Sequence, residues 1–99
     1  MRIISVKIIK DFWQQPHHAD AQQPLAAWYH EVRKEQWSNP HDVKAKYKHA
    51  SIVKNKRVAF NIAGNKYRLV IAVKYDFQIV YIRFIGTHKD YDAINAETI

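Results

Sequence analysis

The feature that most constrains the fold is a series of three apolar, strand-length segments in the second half of the chain. They cover residues 58–62, 67–75 and 79–85. In the first segment Val58, Phe60 and Ile62 alternate with small or polar residues, which is the period-two pattern of a half-buried strand. Ala63-Gly64-Asn65-Lys66 follows and favours a tight turn, because Gly and Asn accept positive φ. We therefore predict an antiparallel sheet in which Ile62 pairs with Tyr67.

The pairing of the second and third strands follows from keeping arginine out of the core. When Lys74 pairs with Ile79, one face of the sheet is wholly apolar, whereas a slip of one residue would bury Arg83. The apolar face then consists of Leu69, Ile71, Val73, Val80, Ile82 and Phe84. The same register pairs Val70 with Arg83. The exposed face carries Arg57, Asn61, Arg68 and Arg83, and Arg68 lies beside Ile85.

The first half of the chain has the spacing of amphipathic helices. Leu25, Trp28, Tyr29 and Val32 follow an i, i+3, i+4, i+7 pattern, which predicts a helix of about four turns. Gln23 is the expected N-cap, with Pro24 in the first helical position. Asp20 is an alternative cap, but it would place Pro24 deeper in the first turn.

A second, shorter helix is predicted after Asn39. Asn39 is its expected N-cap, Pro40 its first residue and Asp42 a favourable charge at its positive end. Val43 and Tyr47 would bury one side of this helix. Residues 1–6 are expected to form an edge strand, residues 8–13 a helical turn and residues 88–95 a last helical turn.

These elements predict a single α+β domain spanning residues 1–99. Its core is a small, twisted antiparallel sheet with helices packed on one face, and the opposite face is left concave and basic. The chain has no cysteine, which excludes disulfides and thiolate metal sites. Its apolar segments are too short to span a membrane, and no signal peptide is evident, so we expect a cytoplasmic protein.

The charge distribution points to an anionic partner. The net charge is +7, and no acidic residue lies between Asp42 and Asp76, a window that holds nine of the 16 Lys and Arg residues. Such a block favours binding to nucleic acid or to an acidic protein. The alternative is a solvated surface that keeps the protein soluble.

Two segments resemble the HigB-type toxins of bacterial toxin–antitoxin modules, within the RelE/ParE superfamily. The first is Phe60-Asn61-Ile62-Ala63-Gly64-Asn65-Lys66-Tyr67-Arg68-Leu69-Val70, and the second ends in Thr87-His88-Lys89-Asp90-Tyr91-Asp92. The resemblance extends from about residue 56 to residue 93. It implies a RelE-like fold and a ribosome-dependent mRNA interferase that needs no metal or other cofactor. It also implies a HigA-like helix-turn-helix antitoxin, with the free toxin a monomer and a higher-order complex with the antitoxin.

The resemblance also implies a reaction and a set of residues for it. The ribose 2′-OH would attack the adjacent 3′-phosphate, which requires a base, cations for the phosphate and an acid for the departing 5′-oxygen. Arg68 and Arg83 would grip the phosphate, because a guanidinium binds two oxygens. His88 and Lys56 are the candidates for acid and base, in an order left open, and Tyr91 would stack on the nucleotide or assist proton transfer. The residues expected to contact RNA are Lys54, Arg57, Asn61 and Lys89.

Each of these residues also has a structural interpretation. His88 could begin a helical turn capped by Thr87, and Arg83 could pair with Asp90 or Asp92. Tyr91 could be an edge aromatic, and Lys54 and Lys56 ordinary hairpin lysines. His17 and His18 lack metal-ligand spacing and are expected to be structural, like Trp13, Trp28 and Trp37.

Two other functions remain as alternatives. One is a ParE-like toxin that binds a protein target such as DNA gyrase, although such members generally lack a histidine and tyrosine after the last strand. The other is a non-catalytic RNA-binding domain, which would account for the charge but not for the convergence of Arg68, Arg83 and His88.

Overall fold

The computed structural model describes residues 1–99 and shows an α+β fold. The elements are β1 (Arg2–Ile4), α1 (Lys7–Trp13), a 3-10 helix (Pro16–Ala21), α2 (Gln22–Arg33), α3 (Pro40–Lys46), β2 (Ser51–Val53), β3 (Arg57–Ile62), β4 (Tyr67–Lys74), a 3-10 turn (Tyr75–Phe77), β5 (Ile79–Thr87) and α4 (His88–Asp92). The five strands form one sheet in the order β1-β5-β4-β3-β2. The predicted edge strand is present as β1, but it pairs with β5 in parallel, so the sheet is mixed.

The core lies between one face of the sheet and helices α1, α2 and α3. Leu25, Trp28 and Val32 of α2 and Val43 of α3 are buried against the strands. Five of the six residues predicted for the apolar sheet face are also buried: Leu69, Ile71, Val73, Val80 and Ile82. Trp28 and Trp37 belong to this core, which confirms their structural role. No helix combines the length and apolar character that a bilayer-spanning segment requires.

Helix α2 begins earlier than predicted. Its first residue is Gln22, and it continues directly from the 3-10 helix, so the expected Gln23 cap is wrong. Pro24 is tolerated inside the first turn because the N–H groups there have no intrahelical acceptor to lose. Asp20 also does not cap α2. It accepts hydrogen bonds from Tyr67 Oη (2.6 Å) and Lys66 Nζ, and these bonds, that of Lys66 first, lower the pKa of its carboxyl.

The start of α3 confirms its prediction. Asn39 Oδ1 accepts a hydrogen bond from the N–H of Asp42 at 3.0 Å, and Pro40 is the first helical residue. His18 has a structural role as expected, since its ring stacks on Phe12 at a centroid distance of 4.0 Å. Burial of that imidazole, followed by the charge of His17, lowers its pKa.

The register between β3 and β4 is the predicted one, whereas the register between β4 and β5 is the predicted one only from Ile71 to Lys74. Ile62 pairs with Tyr67 and Lys74 with Ile79, whereas Val70 pairs with Phe84 and not with Arg83. A β-bulge causes the difference. Val70 pairs with Phe84, but the next residue, Ile71, pairs with Ile82, so Arg83 between them is an extra residue of β5. An extra residue in one strand reverses the alternation beyond it. Phe84 therefore leaves the core side, Ile85 packs against the core, and Gly86 instead of Ile85 opposes Arg68.

Candidate nucleic-acid interface

Arg68 is the centre of the sheet face opposite the helices. It is only 8% exposed, which is unusual for an arginine. Its Nη1 donates to Asn61 Oδ1 at 2.8 Å, and its Nη2 donates to Ser51 Oγ at 3.1 Å. No carboxylate pairs with it, and its buried Nε–H has no acceptor. Arg68 is thus a nearly buried cation whose charge and donors are incompletely satisfied, the state in which an anion would bind most favourably.

Tyr91 covers this cation from α4. Its ring centroid lies 4.7 Å from the Arg68 Cζ, within the range of a cation–π interaction. Helix α4 is held at its start by a capping box, in which the Asp90 N–H donates to Thr87 Oγ1 (3.1 Å) and the Thr87 N–H donates to Asp90 Oδ2 (3.2 Å). The helix predicted after the last strand is therefore present, and it orients Tyr91 towards the site.

Gly86 allows α4 to approach β5 this closely. It opposes Arg68 in the sheet, and a Cβ at this position would lie 2.7 Å from the Phe84 ring and 3.0 Å from the Asp90 Cβ. Both distances are shorter than ordinary van der Waals contact. A side chain here would displace Phe84 or the turn that positions Tyr91.

His88 is the first residue of α4 and lies three residues before Tyr91. Residues at i and i+3 are neighbours on a helix surface, so the two rings share a side of α4. The Nε2 of His88 is buried and has no hydrogen-bond partner. The structure shows no hydrogen bond or ring contact between His88 and either arginine of the predicted phosphate clamp.

Arg83 lies on β5 at the bulge and is exposed. Its guanidinium stacks over Tyr81, with 5.4 Å from Cζ to the ring centroid, and forms no ion pair with Asp90 or Asp92. Tyr81 opposes Ala72 of β4. Gly86, which opposes Arg68, lies three positions along β5 from Arg83, and three positions of strand span about 10 Å between Cα atoms. Arg83 therefore shares the face with Arg68, but the two guanidinium groups have no common hydrogen-bond partner.

Three further predicted cations, Arg57, Lys54 and Lys56, lie at the other end of the sheet. Arg57 opposes Ala72, four residues along β4 from Arg68 and about 13 Å away. Its Nη1 donates to the Asn55 main-chain oxygen at 2.9 Å, and its Nε and Nη2 donate to the main-chain oxygen of Ile99. Lys54 and Lys56 are exposed in the adjoining β2–β3 loop, where Asn55 and Lys56 adopt positive φ.

Two members of the predicted set remain. Asn61 contacts Arg68 directly, and Lys89 is exposed on α4. Of the nine predicted residues, the structure thus brings Arg68, Asn61 and Tyr91 into contact, with His88 beside Tyr91.

Sequence reasoning missed Ser51. It belongs to β2, a strand of only three residues, and its hydroxyl accepts a hydrogen bond from Arg68. The two β-branched residues Ile52 and Val53 are the only local signal for this strand, and a signal of two residues is too short to predict a partner 17 residues away from Ser51. The chain contains no group of three or more His, Asp or Glu side chains arranged to hold a metal ion.

Comparison with known proteins gives one family. Residues 21–94 match the family described as HigB_toxin, the RelE-like toxic component of a toxin–antitoxin system. The chain is also similar to the mRNA interferase toxin HigB of Escherichia coli K12, at 32% identity over 97% of this chain and 92% of that protein. It has the same identity and coverage with the proteins named mRNA interferase HigB in Escherichia coli O157:H7 and Shigella flexneri.

Proposed function

This chain belongs to the HigB family of RelE-like toxins from toxin–antitoxin systems, and on that basis we propose that it is an mRNA interferase, an endoribonuclease that cuts messenger RNA. Three relatives that match nearly the full chain carry that activity in their names. The observation that carries the proposal is the state of Arg68, a nearly buried guanidinium without a counter-ion on a basic face. A phosphate diester would supply the missing negative charge.

The proposed reaction is a transesterification within the RNA. The 2′-oxygen attacks the adjacent phosphorus, the bond from phosphorus to the 5′-oxygen breaks, and the products are a 2′,3′-cyclic phosphate and a 5′-hydroxyl. The 2′-OH loses a proton and the departing 5′-oxygen gains one, so no oxidant, reductant or water is consumed. Negative charge builds up on the non-bridging oxygens in the transition state, where positively charged donors stabilise it most.

We assign these roles to residues of the outer sheet face. Arg68 donates to a non-bridging oxygen from its partly satisfied guanidinium, and Arg83 leaves Tyr81 to bind the same phosphate from β5. Tyr91 stacks on a neighbouring base, and His88 exchanges a proton with the 2′- or 5′-oxygen because imidazole is the side chain suited to this near neutral pH.

Lys56 is assigned a different role from the one first expected of it. It lies beyond Arg57, which is already about 13 Å from Arg68 along the sheet. We therefore propose that Lys54, Lys56, Arg57 and Lys89 bind RNA phosphates that flank the cut. Their common charge also favours contact with ribosomal RNA, and we propose that cleavage takes place on the ribosome.

We also propose that a helix-turn-helix antitoxin neutralises the protein, as expected for a toxin–antitoxin module. An antitoxin that covers Arg68 or Tyr91 would block the phosphate site directly. A small helix-turn-helix protein encoded beside this reading frame would support this part of the proposal, and its absence would count against it.

The test of the proposed function is growth arrest combined with mapping of RNA 5′ ends. Induction of the protein should stop growth and produce new 5′ ends within translated messages. Arg68→Ala, Arg83→Ala and His88→Ala should each abolish both effects while circular dichroism stays that of a folded protein. If all three variants remained fully toxic, or if the protein arrested growth through gyrase inhibition without new 5′ ends, the nuclease assignment would be wrong.

A further inference from the structure

A groove next to Arg68 has no role in the mechanism above. It has a volume of about 460 Å³ and lies between the loop of residues 46–50 and strand β3 with its following turn. Lys48 and His49 form its rim on the loop side, and Phe60, Asn61 and Gly64 line it on the side of β3. The volume falls within the roughly 300–1,000 Å³ typical of small-molecule sites, so the groove has room for one nucleotide.

The groove is continuous with the phosphate site. Asn61 lines the groove and also accepts the hydrogen bond from Arg68 Nη1. On the loop side, Ala50 lines the groove and is followed by Ser51, the other acceptor of Arg68. A strand of RNA with its phosphate at Arg68 would therefore place an adjoining nucleotide at the groove.

The loop that forms the rim is held in place from behind. Lys44 Nζ donates to the main-chain oxygens of Lys48 (2.7 Å) and Ala50 (2.8 Å), and the Ala50 N–H donates to the Tyr47 oxygen (3.1 Å). On the loop side, these bonds involve only backbone atoms. The side chains of Lys48 and His49 are exposed and make no hydrogen bond or ion pair within the protein. The backbone of the rim is thus preorganised, which reduces the backbone entropy lost on binding.

The groove combines an aromatic wall with a cationic rim. The half-buried ring of Tyr47 supplies the aromatic surface; it packs edge to face on the buried Phe60 ring at 5.1 Å, and its hydroxyl donates to Glu31 at 2.7 Å. Burial, followed by the hydrogen bond to Glu31, raises the pKa of Tyr47, so its hydroxyl stays neutral. No carboxylate lines the groove. Aromatic surface for a base beside cations for a phosphate is the combination that binds single-stranded RNA.

We infer that this groove binds the nucleotide of the message next to the scissile phosphate and determines the base preferred at that position. His49 would stack on the base or hydrogen-bond its edge, and Lys48 would bind the next phosphate. The inference rests on the proposed nuclease function and adds to it a specificity site, formed by residues that take no part in bond breaking.

The test is the cleavage profile of a long reporter message in a translation extract, read as the base frequency at each position around every cut. His49→Ala should reduce the preference at one position next to the cut by roughly fivefold or more, as expected for the loss of a stacking contact. Lys48→Ala should lower the yield at all sites. Lys7→Ala is the matched control, because Lys7 lies on α1, pairs with Asp11 and is exposed. Arg68→Lys should lower the rate without changing the profile.

The outcomes separate the two proposals. If the wild-type protein produces no cuts, the nuclease function fails. If it cuts but His49→Ala has the wild-type profile, the groove inference is overturned and the nuclease function stands. If the profile is unchanged while Lys48→Ala and His49→Ala sediment less with ribosomes, the groove binds ribosomal RNA and not the message, which also overturns the inference.

Discussion

Replacing Arg68 by methionine should separate the function of this residue from its contribution to folding. Methionine keeps an unbranched, flexible side chain at this nearly buried position, but it is shorter than arginine and has no charge and no donors. A buried side chain normally stabilises its fold, and large-to-small changes in a core destabilise it by about 2–5 kcal/mol. Arg68 should behave differently because its charge has no counter-ion in the folded protein.

The expected magnitude follows from the contacts of the guanidinium. Leaving a buried Nε–H without an acceptor destabilises the fold by about 1–3 kcal/mol, and the methionine variant removes that penalty. Against this, the hydrogen bonds to Asn61 and Ser51 are lost, each contributing about 0.5–1.5 kcal/mol. The two terms nearly cancel, so the free energy of unfolding should change by no more than about 1 kcal/mol. Cleavage should fall by about 10²–10³-fold, as for the loss of one transition-state donor.

The assay has two parts measured on the same preparations. Urea unfolding followed by tryptophan fluorescence gives the free energy of unfolding, and primer extension on a reporter message gives the cleavage rate. Thermal unfolding in rising phosphate concentration adds a binding readout, because an anion that binds only the folded state raises the Tm. The wild-type protein should gain Tm and Arg68→Met should not. Arg33→Met is the matched control, since Arg33 is exposed and stacks on Tyr29.

Two results would refute this reasoning. A destabilisation by more than about 2 kcal/mol would show that Arg68 is a structural residue whose charge is satisfied in the fold. Retention of cleavage by a folded Arg68→Met protein would show that its guanidinium does not bind the phosphate.

Four further predictions concern the surroundings of Arg68 and the stability of the fold. Tyr91→Phe should keep most of the activity if the ring acts by stacking, whereas Tyr91→Ala should lose about tenfold or more, as a stacking contribution of 1–3 kcal/mol implies; near-equal rates for the two would contradict this. His88→Gln should lower the cleavage rate by about 10²-fold without changing the urea midpoint, the usual size of a general acid–base contribution. Gly86→Ala should displace α4, because the added methyl group would overlap Phe84 and Asp90. The change should lower the cleavage rate and destabilise the fold by about 1–3 kcal/mol, as overpacking does. An unchanged rate would show that α4 need not approach β5 so closely. The pKa of Asp20 is lowered in the folded protein, so its contribution to stability is present above the ordinary carboxyl pKa and is lost as the pH falls through the folded-state value. Asp20→Asn should therefore flatten the acid side of a curve of Tm against pH. An unchanged curve would contradict this prediction.

Features that depend on neighbouring residues were predictable. The alternation of Val58, Phe60 and Ile62, followed by a turn-forming segment, was sufficient for the register of the first long hairpin. The cap of α3 is equally local, since Asn39 and Asp42 are three residues apart. The same holds for the helical turn that begins after Thr87. In each case the stabilising contact lies within the segment that carries the pattern.

The errors have a common origin in packing between distant segments. Hydrophobic alternation alone did not reveal the bulge at Arg83, because a bulge is one extra residue that the rest of the sheet must accommodate. The start of α2 was misplaced for a related reason. Asp20, one of its possible caps, is instead bonded to Tyr67, 47 residues along the chain. The parallel pairing of β1 likewise depends on where the chain returns after more than 70 residues.

By itself, therefore, the sequence determined the class of fold, the apolar face of the sheet and the basic character of the opposite face. Those properties follow from residue type and spacing, which periodicity and charge express directly. The register of the first long hairpin already placed Asn61 opposite Arg68, but only the tertiary structure decided that Ser51 and Tyr91 also surround Arg68, and that Lys56 does not. Such contacts join four separate elements, and their formation depends on the summed packing of the whole domain, which no local segment encodes.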